Sequence, residues 1–177
     1  NTLPSILYRN SKINAEGIWL RSPETDKKLS WKQVYKRCKE IAYFLYNIGA
    51  KRGEPIAIAS RNCIGSCTAF MGITYGGFIA TPLNLVAGAK SIKYVINHSN
   101  VKIIFVENES KKLIEDIIID LKQKVKLIVF HSEDFISTLC TEKKNKKKLD
   151  FKDIDQNTPG LLMYTSGTTG NPKGVLL

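Results

Sequence analysis

The chain has 177 residues, enough for one sizeable domain, and its 43% hydrophobic and 24% charged content lies in the ordinary globular range. Its formal charge is +11, but the run EKKNKKK at 142–148 alone carries a net +4. No aromatic residue is interleaved with those lysines, so the run reads as a solvated loop and not as a nucleic-acid or anionic-lipid patch.

The chain opens on Asn1, and TLPSILYRN that follows predicts a short helix with Pro4 in its first turn. GIWLRS and KLS, on either side of PETDKK, predict a hairpin. The clearest helix is 30–48. Ser30 can cap it, Gln33 completes a capping box, and Val34, Cys38, Ile41, Ala42, Leu45 and Ile48 recur at helical spacing before Gly49.

PIAIAS then reads as a buried strand, 63–75 as a helix and GFIATPLN as a strand running into a loop. No charged residue occurs from 62 to 89, a length that invites a transmembrane reading. Gly65, Gly72, Gly76, Gly77, Pro82 and Asn84 argue instead for a buried helix followed by a buried strand. No signal peptide is visible in the residues present.

A helix over 89–98, the strand VKIIFVE, a helix over 110–122 with a stripe of Leu113, Ile114, Ile117, Ile118 and Leu121, and the strand KLIVFH complete the alternation. Apolar strands separated by amphipathic helices predict a doubly wound α/β unit with a parallel sheet covered on both faces. The small N-terminal helix and hairpin precede it. After the lysine run, GLLMYT is expected to be one more buried strand, and Gly174 leads into a further apolar strand.

Cys38, Cys63, Cys67 and Cys140 form no disulfide pattern, and His98 and His131 stand near segment ends with no paired ligand. Half-buried or buried thiols in a reducing, cytoplasmic setting are the reading.

The chemistry is concentrated in YTSGTTGNPKG, 164–174. Gly167, Gly170 and Gly174 let the backbone approach a ligand closely. Thr165, Ser166, Thr168 and Thr169 offer four hydroxyls, and Lys173 a cation for charge-assisted bonds to phosphate. The pattern is a loop that holds a polyphosphate. It is no Walker A loop, because Pro172 precedes the lysine and Gly174 leads into a strand instead of a helix. Gly-x-Gly and Gly-x-Ser-x-Gly do not occur, which excludes a dinucleotide fingerprint and a nucleophile elbow.

TSGTTGNPKG resembles the phosphate-binding loop of the adenylate-forming superfamily, which includes acyl-CoA synthetases, fatty acyl-AMP ligases, luciferases and peptide-synthetase adenylation domains. Two further stretches match in order: LSWKQVYKRCKEIAYFL (29–45) resembles the family's early helix, and YGGFIATPLN (75–84) its glycine-rich segment. The resemblance implies that Thr165, Ser166, Gly167, Thr168, Thr169, Gly170 and Lys173 contact ATP phosphates, and that Thr165 lends a hydroxyl to Mg²⁺. It implies a two-step ligase: a carboxylic acid, fatty or aryl, attacks the α-phosphate of ATP, and a thiol, usually of coenzyme A, then displaces AMP. Asn84 in ATPLN leans towards CoA ligases, since peptide-synthetase domains more often carry Asp there. A fatty acyl-AMP ligase, a peptide-synthetase adenylation domain and a non-catalytic nucleotide-binding module stay open. The family's catalytic lysine, adenine pocket and acyl pocket are expected downstream. Residues 1–177 are therefore read as the N-terminal part of an AMP-binding domain, inactive alone, with no nucleic-acid partner, no transmembrane segment and a peripheral membrane contact left open.

Overall fold

The structure is a computed structural model that describes residues 2–133, 139, 151, 154–165 and 171–177. Five helices are present among them: α1 (Leu3–Ile13), α2 (Trp31–Asn47), α3 (Ile64–Tyr75), α4 (Ala89–His98) and α5 (Lys111–Ile118). The eight strands are β1 (Ile18–Arg21), β2 (Lys28–Ser30), β3 (Pro55–Ala59), β4 (Ile79–Pro82), β5 (Ile103–Glu107), β6 (Lys126–Phe130), β7 (Leu162–Thr165) and β8 (Lys173–Leu176).

The centre is a four-stranded parallel sheet in the order β4-β3-β5-β6. Alternation along each strand sends side chains to two faces, and both are covered. Ile56, Ile58, Ile103, Phe105, Ile128 and Phe130 face α2 and α3, meeting Ile41, Phe44, Leu45, Ala69 and Ile73. Ala57, Ala59, Ile104 and Val106 face α4 and α5, meeting Ile92, Val95, Ile96, Ile114 and Ile117. This is the doubly wound arrangement expected from the sequence.

The first residues form an outer layer. Thr2 caps α1, with proline in its first turn, and β1 pairs antiparallel with β2 as the predicted hairpin. Leu7 of α1 packs with Val34, Cys38 and Ala42 on the far side of α2, together with Tyr75 of α3. The reciprocal capping box at Ser30 and Gln33 starts α2. Gly49 follows with φ +92°, a conformation that favours glycine, and the chain turns into β3.

Helix α3 explains the uncharged stretch. It lies between the sheet and the outer layer, burying Ala69 and Ile73 on one side and Tyr75 on the other. A helix apolar all round is one buried all round. Among the described residues no helix is long and apolar enough to cross a membrane.

Two expectations need correction. Helix α5 stops at Ile118, short of 122, with Leu113 and Ile119 exposed. The following turn brings Gln123 to the last turn of α4 and the connection after it, where its side-chain amide donates to the Ile96 and Val101 carbonyls at 3.1 Å each. Continuing the helix would remove that contact. The strand GLLMYT is also not a buried member of the parallel sheet. As β7 it is half-buried, with Met163 45% exposed, and it pairs antiparallel with β8. Only the bridge between Ala80 and Leu161 joins it to the edge strand β4.

The lysine run 142–148 and Cys140 lie outside the described residues. Cys38 is buried and Cys63 and Cys67 are half-buried, all with free thiols.

Candidate phosphate-loop site

The described ends of the motif 164–174 belong to a hairpin. Tyr164 and Thr165 close β7, Lys173 opens β8, and the register sets Thr165 opposite Lys173 and Tyr164 opposite Gly174. Thr165 and Lys173 thus stand side by side where the two strands of the hairpin begin to part, both exposed. Among the described residues Lys173 has no ion-pair partner, so its charge is available to an anion. Ser166, Gly167, Thr168, Thr169 and Gly170 lie outside the described residues.

The hairpin's direction places this loop. At the Ala80–Leu161 bridge β7 runs parallel to β4, and the Ala80 N–H donates to the Gly160 carbonyl at 3.0 Å. Thr165 therefore emerges at the carboxyl edge of the sheet, the edge where α/β folds receive ligands. Beyond the four-residue pairing, Leu177 continues the ladder in both directions with Leu161, at 2.8 and 3.1 Å.

A crevice of about 300 Å³ opens beside the hairpin. Leu83, Asn84 and Val86 after β4, Ser91 and Ile92 of α4, and Tyr164 and Pro172 of the hairpin contribute to its walls. The Asn84 side chain accepts from the Val86 N–H at 3.1 Å and starts the 3-10 turn Leu85–Ala87.

Tyr164 anchors the hairpin. It packs against the cluster under α4, and its hydroxyl lies 2.7 Å from Nδ1 of His98. Tyr94 stacks on the same imidazole, with ring centroids 5.3 Å apart and planes 26° from parallel. Burial pushes the Tyr164 hydroxyl above its ordinary pKa, Tyr94 adds to the rise and Ser99 opposes it. His98 was legible in the sequence only as a histidine without a paired ligand; its partner lies 66 residues away.

A second polar cluster sits where β3 and β5, adjacent in the sheet, send their helices to opposite faces. Glu107 is 2% exposed there, and its carboxyl accepts from the Ser60 hydroxyl at 3.0 Å and the Arg61 N–H at 3.1 Å. Arg61 also pairs with Glu109. Sequence reasoning did not single out Glu107. An acidic residue closing an otherwise apolar strand was the available signal.

Thr165 offers one hydroxyl oxygen, and the described residues hold no group of three or more His, Cys, Asp or Glu able to bind a metal.

The sequence profile described as "AMP-binding enzyme" matches residues 11–177. Among curated proteins, the chain is 29% identical to the 2-methylpropanoate–CoA ligase of Humulus lupulus over 163 residues, covering 83% of this chain and 29% of that protein. It is 30% identical to fatty acyl-CoA synthetase A of Dictyostelium discoideum, over 84% of this chain and 24% of that one. The chain thus spans under a third of the length of these relatives. Among solved structures, the inhibitor-bound N-terminal domain of FACL13 from Mycobacterium tuberculosis superposes with a TM-score of 0.84 at 22% identity, over 99% of this chain and 44% of that one. An anthranilate–CoA ligase in complex with anthranoyl-AMP also gives 0.84, at 23% identity, over 99% of this chain and 34% of that one. At these identities the structural likeness establishes the fold, which is that of adenylate-forming enzyme N-terminal domains. The match over nearly the whole chain settles the family: this chain belongs to the AMP-binding enzymes.

Proposed function

We propose that this chain is the N-terminal part of an ATP-dependent acid–thiol ligase, which joins a carboxylic acid to AMP and then passes the acyl group to coenzyme A. The observation that carries the reading is the hairpin that sets Thr165 against Lys173 at the base of a loop of glycines and hydroxyls, on the carboxyl edge of a parallel sheet. Relatives named as CoA ligases for 2-methylpropanoate and for medium-chain fatty acids support coenzyme A as acceptor.

In the first step a carboxylate oxygen attacks the α-phosphorus and the bond to the bridging oxygen of pyrophosphate breaks. Negative charge builds on the departing pyrophosphate. Lys173 and the hydroxyls of Thr165, Ser166, Thr168 and Thr169 are assigned to hold that group, with Gly167 and Gly170 letting backbone N–H groups approach it. No helix follows the loop, since Lys173 begins β8, so a helix dipole contributes nothing on that side. Mg²⁺ bound with ATP would offset charge on the phosphates, and Thr165 would offer it a hydroxyl. In the second step the thiol sulfur attacks the acyl carbon and AMP departs; the described residues contain no group assigned to it.

The test is carboxylate-dependent exchange of labelled pyrophosphate into ATP by the full-length protein carrying this chain. Acetate, butyrate, octanoate, palmitate and benzoate serve as probes, each followed by thioester formation with coenzyme A. Exchange with at least one acid, and a CoA thioester from it, is the expected result. Exchange with none would overturn the reading, and exchange without CoA transfer would favour an acyl-AMP ligase. The 177-residue chain alone is expected to bind Mg²⁺–ATP weakly and to release no pyrophosphate; micromolar affinity in isothermal titration would contradict this.

A further inference from the structure

The loop's hydroxyls and lysine can act on a polyphosphate only if the hairpin bearing them holds one orientation against the sheet. Among the described residues one parallel bridge, Ala80 to Leu161, ties the hairpin to β4, and a single bridge leaves rotation about the hairpin's own axis weakly restrained. Side chains must supply the rest.

Tyr164 is placed for that. Alternation along β7 sends its side chain to the opposite face from that of Thr165. Its ring crosses the partner strand at Gly174, where an added Cβ would come within 3.2 Å of Cζ. The missing side chain at Gly174 therefore makes room for the ring to lie over β8. Past Gly174 the hydroxyl reaches Nδ1 of His98 at 2.7 Å, with the two rings edge to face at a centroid distance of 5.7 Å. His98 is held in turn, because Tyr94, one helical turn earlier on α4, stacks on its ring. A continuous line thus runs from α4, which is locked into the core through Ile92, Val95 and Ile96, to the foot of the loop.

We propose that His98 is a positioning residue for the phosphate loop: through Tyr164 it fixes the rotation of the hairpin and with it the spacing of Thr165 and Lys173 from the ATP phosphates. The inference rests on the function proposed above. His98 touches neither nucleotide nor acid in this scheme; it acts on ATP through the hairpin. Removing it costs affinity for ATP before it costs turnover, because the loop's groups are all still present but must be ordered by the nucleotide itself.

The experiment uses the full-length protein in the pyrophosphate-exchange assay with the best of the five acids. His98→Ala and Tyr164→Phe are each expected to raise the KM for ATP about five- to ten-fold, the worth of one hydrogen bond, with kcat within two-fold of the parent and KM for the acid unmoved. His98→Asn, whose amide can still pair with the hydroxyl, is expected to recover most of the loss. The double variant His98→Ala with Tyr164→Phe is expected to match the single ones, since both remove the same contact. Tyr164→Phe keeps the ring and so keeps the test decisive if His98→Ala does not fold. An active parent with an unmoved KM for ATP in Tyr164→Phe, or additive effects in the double variant, overturns the role of His98 alone. A parent that exchanges no pyrophosphate with any acid overturns the proposed function and this role together.

Discussion

Gly72 of α3 lies so close to Ile41 of α2 that an added Cβ would stand 2.6 Å from the Ile41 Cβ and 2.7 Å from its Cγ2 and Cδ1. Three atoms of a β-branched side chain cannot all move away within a packed core. Gly72→Ala is expected to lower stability by about 1–3 kcal/mol through overpacking. Gly49→Ala is the comparison: nothing lies within 4 Å of its added Cβ, but φ is +92°, so about 1 kcal/mol of conformational cost is expected. Urea unfolding measures both. Equal, negligible losses would contradict the close α2–α3 approach.

Glu107 carries a different kind of risk. Glu107→Ala removes the acceptor of the Arg61 N–H and one acceptor of the Ser60 hydroxyl, which keeps the Arg61 carbonyl at 2.7 Å, and is expected to cost about 1–2 kcal/mol. Glu107→Gln keeps an acceptor oxygen in the same place and is expected to cost clearly less. If glutamine proved as damaging as alanine in thermal unfolding, the negative charge, through Arg61, would matter more than the two accepted bonds.

The capping box at α2 was read from Ser30 and Gln33, and the structure contains both bonds, 2.9 Å from the Ser30 N–H to the glutamine oxygen and 3.3 Å from the Gln33 N–H to the serine hydroxyl. Local signals of this kind were legible because they need only neighbours three or four residues apart. The buried character of α3 was legible from its lack of charge. The end of α5 was not, because the contact that stops it joins Gln123 to carbonyls of α4 and of the connection after it. The same applies to the site. The motif marked Thr165 and Lys173, but their pairing across a hairpin and the anchoring of Tyr164 by His98 depend on contacts between separate elements. GLLMYT read as a buried strand because its apolar residues do not reveal that the strand takes an antiparallel partner and an exposed face.

The thiols give a pH prediction. Burial holds the Cys38 thiol far above its ordinary pKa, and burial, with Cys63 nearby, raises that of Cys67. Cys38 is therefore expected to resist Ellman's reagent at pH 8 until the protein unfolds, and Cys67 to react more slowly than a free thiol and faster as pH rises. Above about pH 8.5 the unfolded chain loses the Cys38 proton while the folded one keeps it, so stability falls as pH rises. Rapid labelling of Cys38 in the native state, read by peptide mapping, would contradict its burial.

Lys173→Ala in the full-length protein is expected to slow adenylate formation roughly hundred- to thousand-fold, as loss of one charge-stabilising group from a transition state does. The side chain is exposed, so thermal unfolding should be unchanged. A loss of folding with unaltered exchange kinetics in the remaining soluble protein would assign Lys173 to structure instead.

The most direct measurement is a crystal structure of the full-length protein with Mg²⁺ and a non-hydrolysable ATP analogue. The β- and γ-phosphates are expected between Thr165 and Lys173, against the backbone and hydroxyls of residues 166–170. Phosphates bound elsewhere, with 165–173 making no contact to the nucleotide, would contradict the assignment of this hairpin as the phosphate site.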